Sequence, residues 1–205
     1  MTSFSYSPEI AEETRAAVTE SELFQNWFRK ANREFKIAKI HFSSVDFRHK
    51  SNAPLFIKLS AEASLPDGRP VNGIVLLRGN AVGVLVVLRC EGKPYLLLVE
   101  QPRFPIASVR SLEIPAGILD WSADYRKVAL EELKEEAQIR AEDSELIDLS
   151  GFWHENRAPG FAASCGLLDE FVRLYAIERT VTPEELQKFH DRKQQYQEEN
   201  EWIRT

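Results

Sequence analysis

The sequence predicts an α/β domain with a smaller β-containing extension in front of it, on three observations. Two strongly apolar runs, Ala81–Cys90 and Tyr95–Glu100, flank a short glycine turn. A helical stretch, Asp124–Ala137, follows. Further strand-like segments then resume, so that mixed strands are interrupted by one internal helix. With 205 residues and 43% hydrophobic content, the chain can bury one sizeable core plus an appendage.

Taken in order, Pro8 to about Phe35 reads as helical, with Leu23, Trp27 and Phe28 at near-helical spacing. Lys36–Val45 and Leu55–Ala63 alternate as strands, Pro66-Asp67-Gly68 marks a turn, and Val71–Leu77 is a third strand. This front portion is expected to form a small antiparallel layer. Ala81–Cys90 and Tyr95–Glu100, joined by Glu91-Gly92-Lys93, form an expected hairpin, and their Val- and Leu-rich composition calls for cover on both faces. After a loop and the helix, a strand at about Leu146–Trp153 leads into an irregular run, His154–Gly166, and a strand at Glu170–Ile177. Thr182-Pro183-Glu184-Glu185 has the pattern of a helix start, with threonine as N-cap and proline at the first helical position. Glu198–Thr205 reads as a last strand.

Composition excludes several function classes. A net charge of −6 lacks the global footprint of a nucleic-acid-binding protein. No stretch reaches the roughly 18 apolar residues of a membrane span, and no signal peptide stands at the start, so an intracellular, cytoplasmic or organellar location is expected. Cys90 and Cys165 form neither a disulfide framework nor a zinc spacing and read as free thiols.

The helix carries the chemistry. At 100° per residue, Glu132, Glu135 and Glu136 fall within one arc of about 100°, while Ala129, Leu130, Leu133 and Ala137 occupy the adjoining arc. Crowded like charges repel, and a hard divalent cation with oxygen ligands is the natural compensation. On these residues alone, a solvated acidic face is the favoured reading.

The context points further. Gly117, Glu132, Leu133, Glu135, Glu136 and Ile139 stand at the places they occupy in the Nudix box, so Gly117–Ile139 resembles that motif. Ala123, Glu131 and Gln138 depart from it, replacing a loop glutamate, an arginine and a glycine; Asp124, followed by Tyr125, sits one residue beyond the missing glutamate. Glu113-Ile114-Pro115-Ala116-Gly117, Leu98-Val99-Glu100-Gln101-Pro102-Arg103 and Ser164-Cys165-Gly166-Leu167-Leu168-Asp169-Glu170 resemble, in order, three blocks of the ADP-ribose and ADP-sugar diphosphatase branch.

This resemblance implies a Nudix-fold α/β/α sandwich with a mixed sheet at residues 76–205, ending before the usual C-terminal helix, and an extension at 1–75 that serves dimerisation. It implies that Glu132, Glu135 and Glu136, with the Ala116 carbonyl, hold Mg²⁺ or Mn²⁺; that Arg103 and Glu113 meet the substrate; and that Glu135 and Glu170 are catalytic, Glu170 as the base for water. The implied reaction splits a nucleotide sugar at its diphosphate, in a homodimer acting on a small molecule away from membranes and nucleic acid. A catalytically impaired binding or scaffold module of the same fold is the alternative, motivated by the three departures. Arg103, Glu113 and Glu170 also read as ordinary surface or sheet-edge charges. For His154, Trp153 and Phe152, structural roles fit better than ligand binding.

Overall fold

The computed structural model describes residues 2–49, 51, 53–119, 124–152, 160–189, 193–196 and 201–204. The chain divides into two compact units, Met1–Asn80 with Ala162–Phe171, and Ala81–Phe161 with Val172–Thr205. Segment 162–171 joins the first unit because Leu76 donates its N–H to the Leu167 carbonyl at 2.9 Å and bridges to Leu168.

The first unit is a five-stranded sheet with two helices. Strand β1 (Ser3–Tyr6) precedes helices α1 (Arg15–Glu20) and α2 (Glu22–Glu34). Strands β2 (Lys36–Phe47), β3 (Pro54–Ser64), β4 (Pro70–Val71) and β5 (Ile74–Leu77) follow. The single helix expected from Pro8 to Phe35 is thus two. Ser21 adopts an extended backbone and its hydroxyl accepts the Phe24 N–H at 3.2 Å, so one residue ends α1 and caps α2. The layer is not wholly antiparallel either, because β1 pairs with β2 in parallel. The expected strand Val71–Leu77 breaks at Gly73, where a Cβ would lie 2.2 Å from the Ala61 carbonyl oxygen; β3 approaches too closely for any side chain. Phe24, stacked on Phe28 and edge-on to Phe42, anchors α2 to this sheet in a core that includes Ile40, Ile57 and Leu59.

The second unit holds the mixed strands and the carboxylate helix. Strands β6 (Ala81–Cys90) and β7 (Lys93–Leu97) make the expected hairpin through Glu91 and Gly92, both at positive φ, which defines a two-residue turn with Lys93 already in the strand. The second apolar run does not continue as one strand. It breaks at Leu98, and β8 (Val99–Arg103) pairs instead with β9 (Ser108–Glu113) in a separate sheet. Strand β10 (Ala116–Ile118) returns to β6 and precedes α3 (Tyr125–Glu136).

Beyond the helix, β11 (Ile147–Asp148) is only the start of the expected strand Leu146–Trp153. Asp148 accepts the N–H groups of Ser150 and Gly151 and turns the chain away; Trp153 lies outside the described residues. Strand β12 (Phe161–Ala162) leads to β13 (Phe171–Thr180), and β13 lies parallel to β6 while β10 is antiparallel to it, so this sheet is mixed. The Thr182 helix start is as expected: in α4 (Pro183–Phe189), Thr182 N–H donates to Glu185 and Glu185 N–H to the Thr182 hydroxyl. Strands β14 (Lys193–Tyr196) and β15 (Glu201–Arg204) complete the sheet of β8 and β9 in the order β14-β15-β8-β9.

The mixed α/β class is therefore what the chain adopts. Val82, Val84, Val86 and Leu88 of β6 form the core with Val128, Ala129, Leu133 and Ala137, and Leu186 and Phe189 of α4 pack against the same cluster. Among the described residues, no helix is long and apolar enough to cross a membrane.

Candidate metal and diphosphate site

Helix α3 begins at Asp124, whose carboxylate accepts the Lys127 N–H at 3.0 Å as N-cap. Its apolar arc is seated on β6, and this seating sets how far each glutamate is drawn inward. Glu136 lies next to the buried arc and is 5% exposed; Glu132, farther round, is half-buried; Glu135, farthest, is exposed. One helical phase thus accounts for all three environments.

Two of the three carboxylates meet strand β10, which precedes the helix. Glu136 Oε2 accepts the Ala116 N–H at 2.8 Å, and Gln101 Nε2 lies 3.4 Å from its other oxygen. Glu132 lies over Gly117: a Cβ there would stand 1.7 Å from Glu132 Oε1 and 2.2 Å from its Cδ. The glycine is thereby explained in space, since the volume an alanine methyl would fill is taken by the glutamate. Ala116, Gly117, Glu132 and Glu136 are brought together, with the Ala116 amide turned to Glu136. Among the described residues, however, no three His, Cys, Asp or Glu side chains are gathered as a metal ion would require.

The donor set nevertheless fits a hard divalent ion in kind. It is oxygen only, on one helix face, with the Gly117 cradle giving Glu132 its place beside the Ala116 backbone.

Arg103 and Glu113 are also brought together, with each other. Arg103 Nε stands 3.0 and 3.1 Å from the two Glu113 oxygens, and its Nη2 is 2.9 Å from Oε2. They end neighbouring strands, β8 and β9, but the antiparallel register sets Arg103 opposite Ser108 and Glu113 opposite Val99, so the pair is made by the reach of the two side chains and not by cross-strand pairing. Partial burial pushes the Glu113 carboxyl up, but the hydrogen bonds from Arg103 and Ser111 and the Arg103 charge outweigh it and hold the group below its ordinary range.

Glu170 belongs to the first compact unit. It is 5% exposed, and Arg78 Nη1 lies 2.9 Å from its Oε1. Its neighbour Asp169 accepts the N–H groups of Arg78 at 2.8 Å and Gly79 at 3.2 Å, fastening this end of the loop to the end of β5. Burial raises the Glu170 carboxyl above its ordinary value; Arg78 opposes the rise and Asp169 adds to it. His154 and Trp153 lie outside the described residues, as does the side chain of Phe152.

Sequence reasoning passed over Gln101. It shares the inward face of β8 with Val99, and both are buried. A polar residue at a core-facing alternate position was the available signal. It also passed over Arg173 and Asp148, whose pairing joins strands 25 residues apart in sequence and has no local mark.

Comparison with known proteins agrees with this geometry. The model of the NUDIX domain matches residues 77–204. Nudix hydrolase 14, chloroplastic, of Arabidopsis thaliana is 29% identical over 196 residues, covering 91% of this chain and 62% of that protein. Methanol dehydrogenase activator of Bacillus methanolicus is 32% identical over 123 residues, 60% of this chain and 58% of that protein. ADP-ribose pyrophosphatase of Bacillus subtilis (strain 168) is 32% identical over 124 residues, 60% of this chain and 59% of that protein. The chain spans about three fifths of the length of these relatives.

Proposed function

We propose that this chain, which belongs to the Nudix family, is a metal-dependent hydrolase that splits the diphosphate of a nucleoside diphosphate sugar, of ADP-ribose or ADP-/UDP-sugar type, into a nucleoside monophosphate and a sugar phosphate. The observation that carries this reading is the meeting of Glu132 with Gly117 and of Glu136 with the Ala116 amide, which sets two carboxylates against one stretch of backbone. The likeness to an ADP-ribose pyrophosphatase supports the substrate class.

In the reaction, water forms a new P–O bond as the bridging P–O bond breaks, and one proton leaves the water. Glu132, Glu135 and Glu136, with the Ala116 carbonyl, would hold Mg²⁺ or Mn²⁺. Such an ion, when bound, neutralises phosphate oxygens and lowers the pKa of water. Arg103, whose Nε and Nη2 donate to Glu113 in this structure, binds phosphate by its guanidinium once substrate arrives, and Glu113 meets the metal or the terminal sugar. Glu170 accepts the proton. The same proposal includes a homodimer that uses the 1–75 extension, in an intracellular compartment; light scattering that reports a monomer at micromolar concentration would count against the dimer.

One observation favours a second reading, a binding or scaffold module without turnover: no three metal-binding side chains are gathered among the described residues. The test is phosphate release, after phosphatase coupling, from a panel of nucleotide sugars with Mg²⁺ or Mn²⁺. Hydrolysis of at least one ADP- or UDP-sugar, lost in the triple variant Glu132→Gln, Glu135→Gln, Glu136→Gln, supports the enzyme. Saturable binding of a nucleotide sugar with no product supports the module and sinks the hydrolase.

A further inference from the structure

Helix α3 is held at two ends by different chemistry. Its C-terminal half is fixed by burial of Leu133 and Ala137 and by the Glu136–Ala116 hydrogen bond. Its first turn has Val128 in the same core, with Tyr125 packed against that cluster, but its remaining hold is of another kind. Tyr125, its first residue, lies under the Arg173 guanidinium, whose Cζ is 5.5 Å from the ring centroid. The same guanidinium is 5.8 Å from the ring of Tyr175, and Arg126, the second helical residue, reaches that ring at 5.6 Å. Tyr175 is thereby approached by two cations, and it is 1% exposed, a setting in which cation–π attraction is strongest.

Both guanidiniums are themselves immobilised. Arg173 Nε donates to Asp148 Oδ2 at 3.2 Å, and its Nη2 donates to the same oxygen. Asp148 cannot swing, because its other oxygen accepts the N–H groups of Ser150 at 2.9 Å and Gly151 at 3.1 Å. Arg126 donates to the carbonyls of Asp143 and Leu146 and to the Asp143 carboxylate. The first turn of the helix is thus tied to β11, β13 and the 3₁₀ turn Asp143–Glu145, all within one compact unit.

We infer that Arg173, with Arg126, is a positioning residue for the carboxylate face of α3, acting through Tyr125 and Tyr175. The consequence for metal rests on the hydrolase reading above. A 12-residue helix has little stability or fixed direction of its own. Without the guanidinium clamp, only the non-directional apolar packing of Val128, Ala129, Leu133 and Ala137 and the Glu136–Ala116 bond resist a roll. A roll of about 20° moves a carboxylate ~6 Å from the axis by about 2 Å, as much as a whole Mg²⁺–oxygen distance of ~2.0–2.1 Å. Lysine cannot replace arginine here, since only the planar guanidinium lies flat on a ring while forking to a carboxylate.

The test compares Arg173→Met, Arg126→Met and Tyr125→Leu with the ring-keeping Tyr125→Phe. Hydrogen exchange of the metal-free protein reads the clamp alone. Amides of α3 should exchange at least about tenfold faster in the first three variants and at the parental rate in Y125F. Mn²⁺ titration followed by electron paramagnetic resonance reads the consequence: about ten- to hundredfold weaker binding in the same three, with Y125F again like the parent. Turnover should fall through kcat more than through KM. If R173M does not fold, Y125L makes the same test from the other side of the contact. Unchanged α3 exchange overturns the clamp. Faster exchange with parental Mn²⁺ affinity overturns the positioning role and leaves a merely structural contact. A parent protein that binds no Mn²⁺ overturns the hydrolase reading and this inference with it, an outcome distinct from the other two.

Discussion

The carboxylate of Glu136 accepts the backbone N–H of Ala116 at 2.8 Å, joining the end of helix α3 to strand β10, whose Ala116 carbonyl is proposed to meet the metal. A carboxylate this buried is tolerable only with hydrogen-bond partners, and Gln101 adds a second at 3.4 Å. The bond also fixes which way the Ala116 peptide faces.

Metal binding should show first as stability. Mg²⁺ or Mn²⁺ raises the melting temperature of the parent, because a ligand that binds only the folded state stabilises it by mass action. Replacing Glu132, Glu135 and Glu136 together by glutamine abolishes the shift while the fold survives, since each glutamine keeps an acceptor oxygen. Differential scanning fluorimetry checks this; an undiminished shift in the triple variant places the ligands elsewhere.

The Arg103–Glu113 pair should give a pH-dependent contribution of predictable sign. The folded carboxyl lies below its ordinary value of 4.5, burial being outweighed by the bonds from Arg103 and Ser111. Its stabilisation is therefore fully present above that value and is lost as pH falls through the depressed folded one. Melting curves of parent and Glu113→Gln should differ most at neutral pH and converge as pH falls through the depressed folded value. A gap that widens on acidification would contradict the assignment.

Glu170 as the proton acceptor predicts an acid limb in the pH–rate profile that lies above the ordinary glutamate range. Burial raises this carboxyl more than Arg78 lowers it, and a base works only when ionised. Glu170→Gln should cut turnover at least about a hundredfold and remove that limb, with Mn²⁺ affinity nearly unchanged. Parental rates in the variant would assign the base to Glu113 or a helix glutamate.

Gln138 ends α3 at φ +54°, a left-handed conformation that favours glycine, and the next N–H, that of Ile139, bonds back to the Leu133 carbonyl at 2.9 Å. Glutamine pays a steric cost of about 1–2 kcal/mol there. Glycine relieves it but loses more chain entropy on folding. The net expectation for Gln138→Gly is a gain of about 1 kcal/mol, or roughly 2–4 °C in melting temperature. Calorimetry that shows destabilisation would mean the glutamine side chain holds the helix end.

Much of this arrangement was legible in the residues because it is local. The Gly117 to Ile139 spacing, the apolar arc of Ala129, Leu133 and Ala137, the Glu91-Gly92 turn and the Thr182 cap each depend on residues within a few turns of chain. Periodicity and turn chemistry report such features directly. Elements failed where a distant neighbour decided them: Gly73 breaks a strand because its pairing neighbour β3 approaches too closely, and Leu98 separates two strands because they join different sheets.

What the sequence determined by itself was the family, the three glutamates on one helix face, and the Gly117 that precedes them. What only the tertiary structure decided was the environment each group meets. It buries Glu136 against Ala116 while leaving Glu135 exposed, engages the Arg103 fork with Glu113, pairs Glu170 with Arg78, and sets Arg173 between Tyr125 and Tyr175. The physical reason is range. A helix places its own side chains by a rise and a rotation, whereas burial and charge pairing depend on strands that the chain brings together from 10 to 92 residues away.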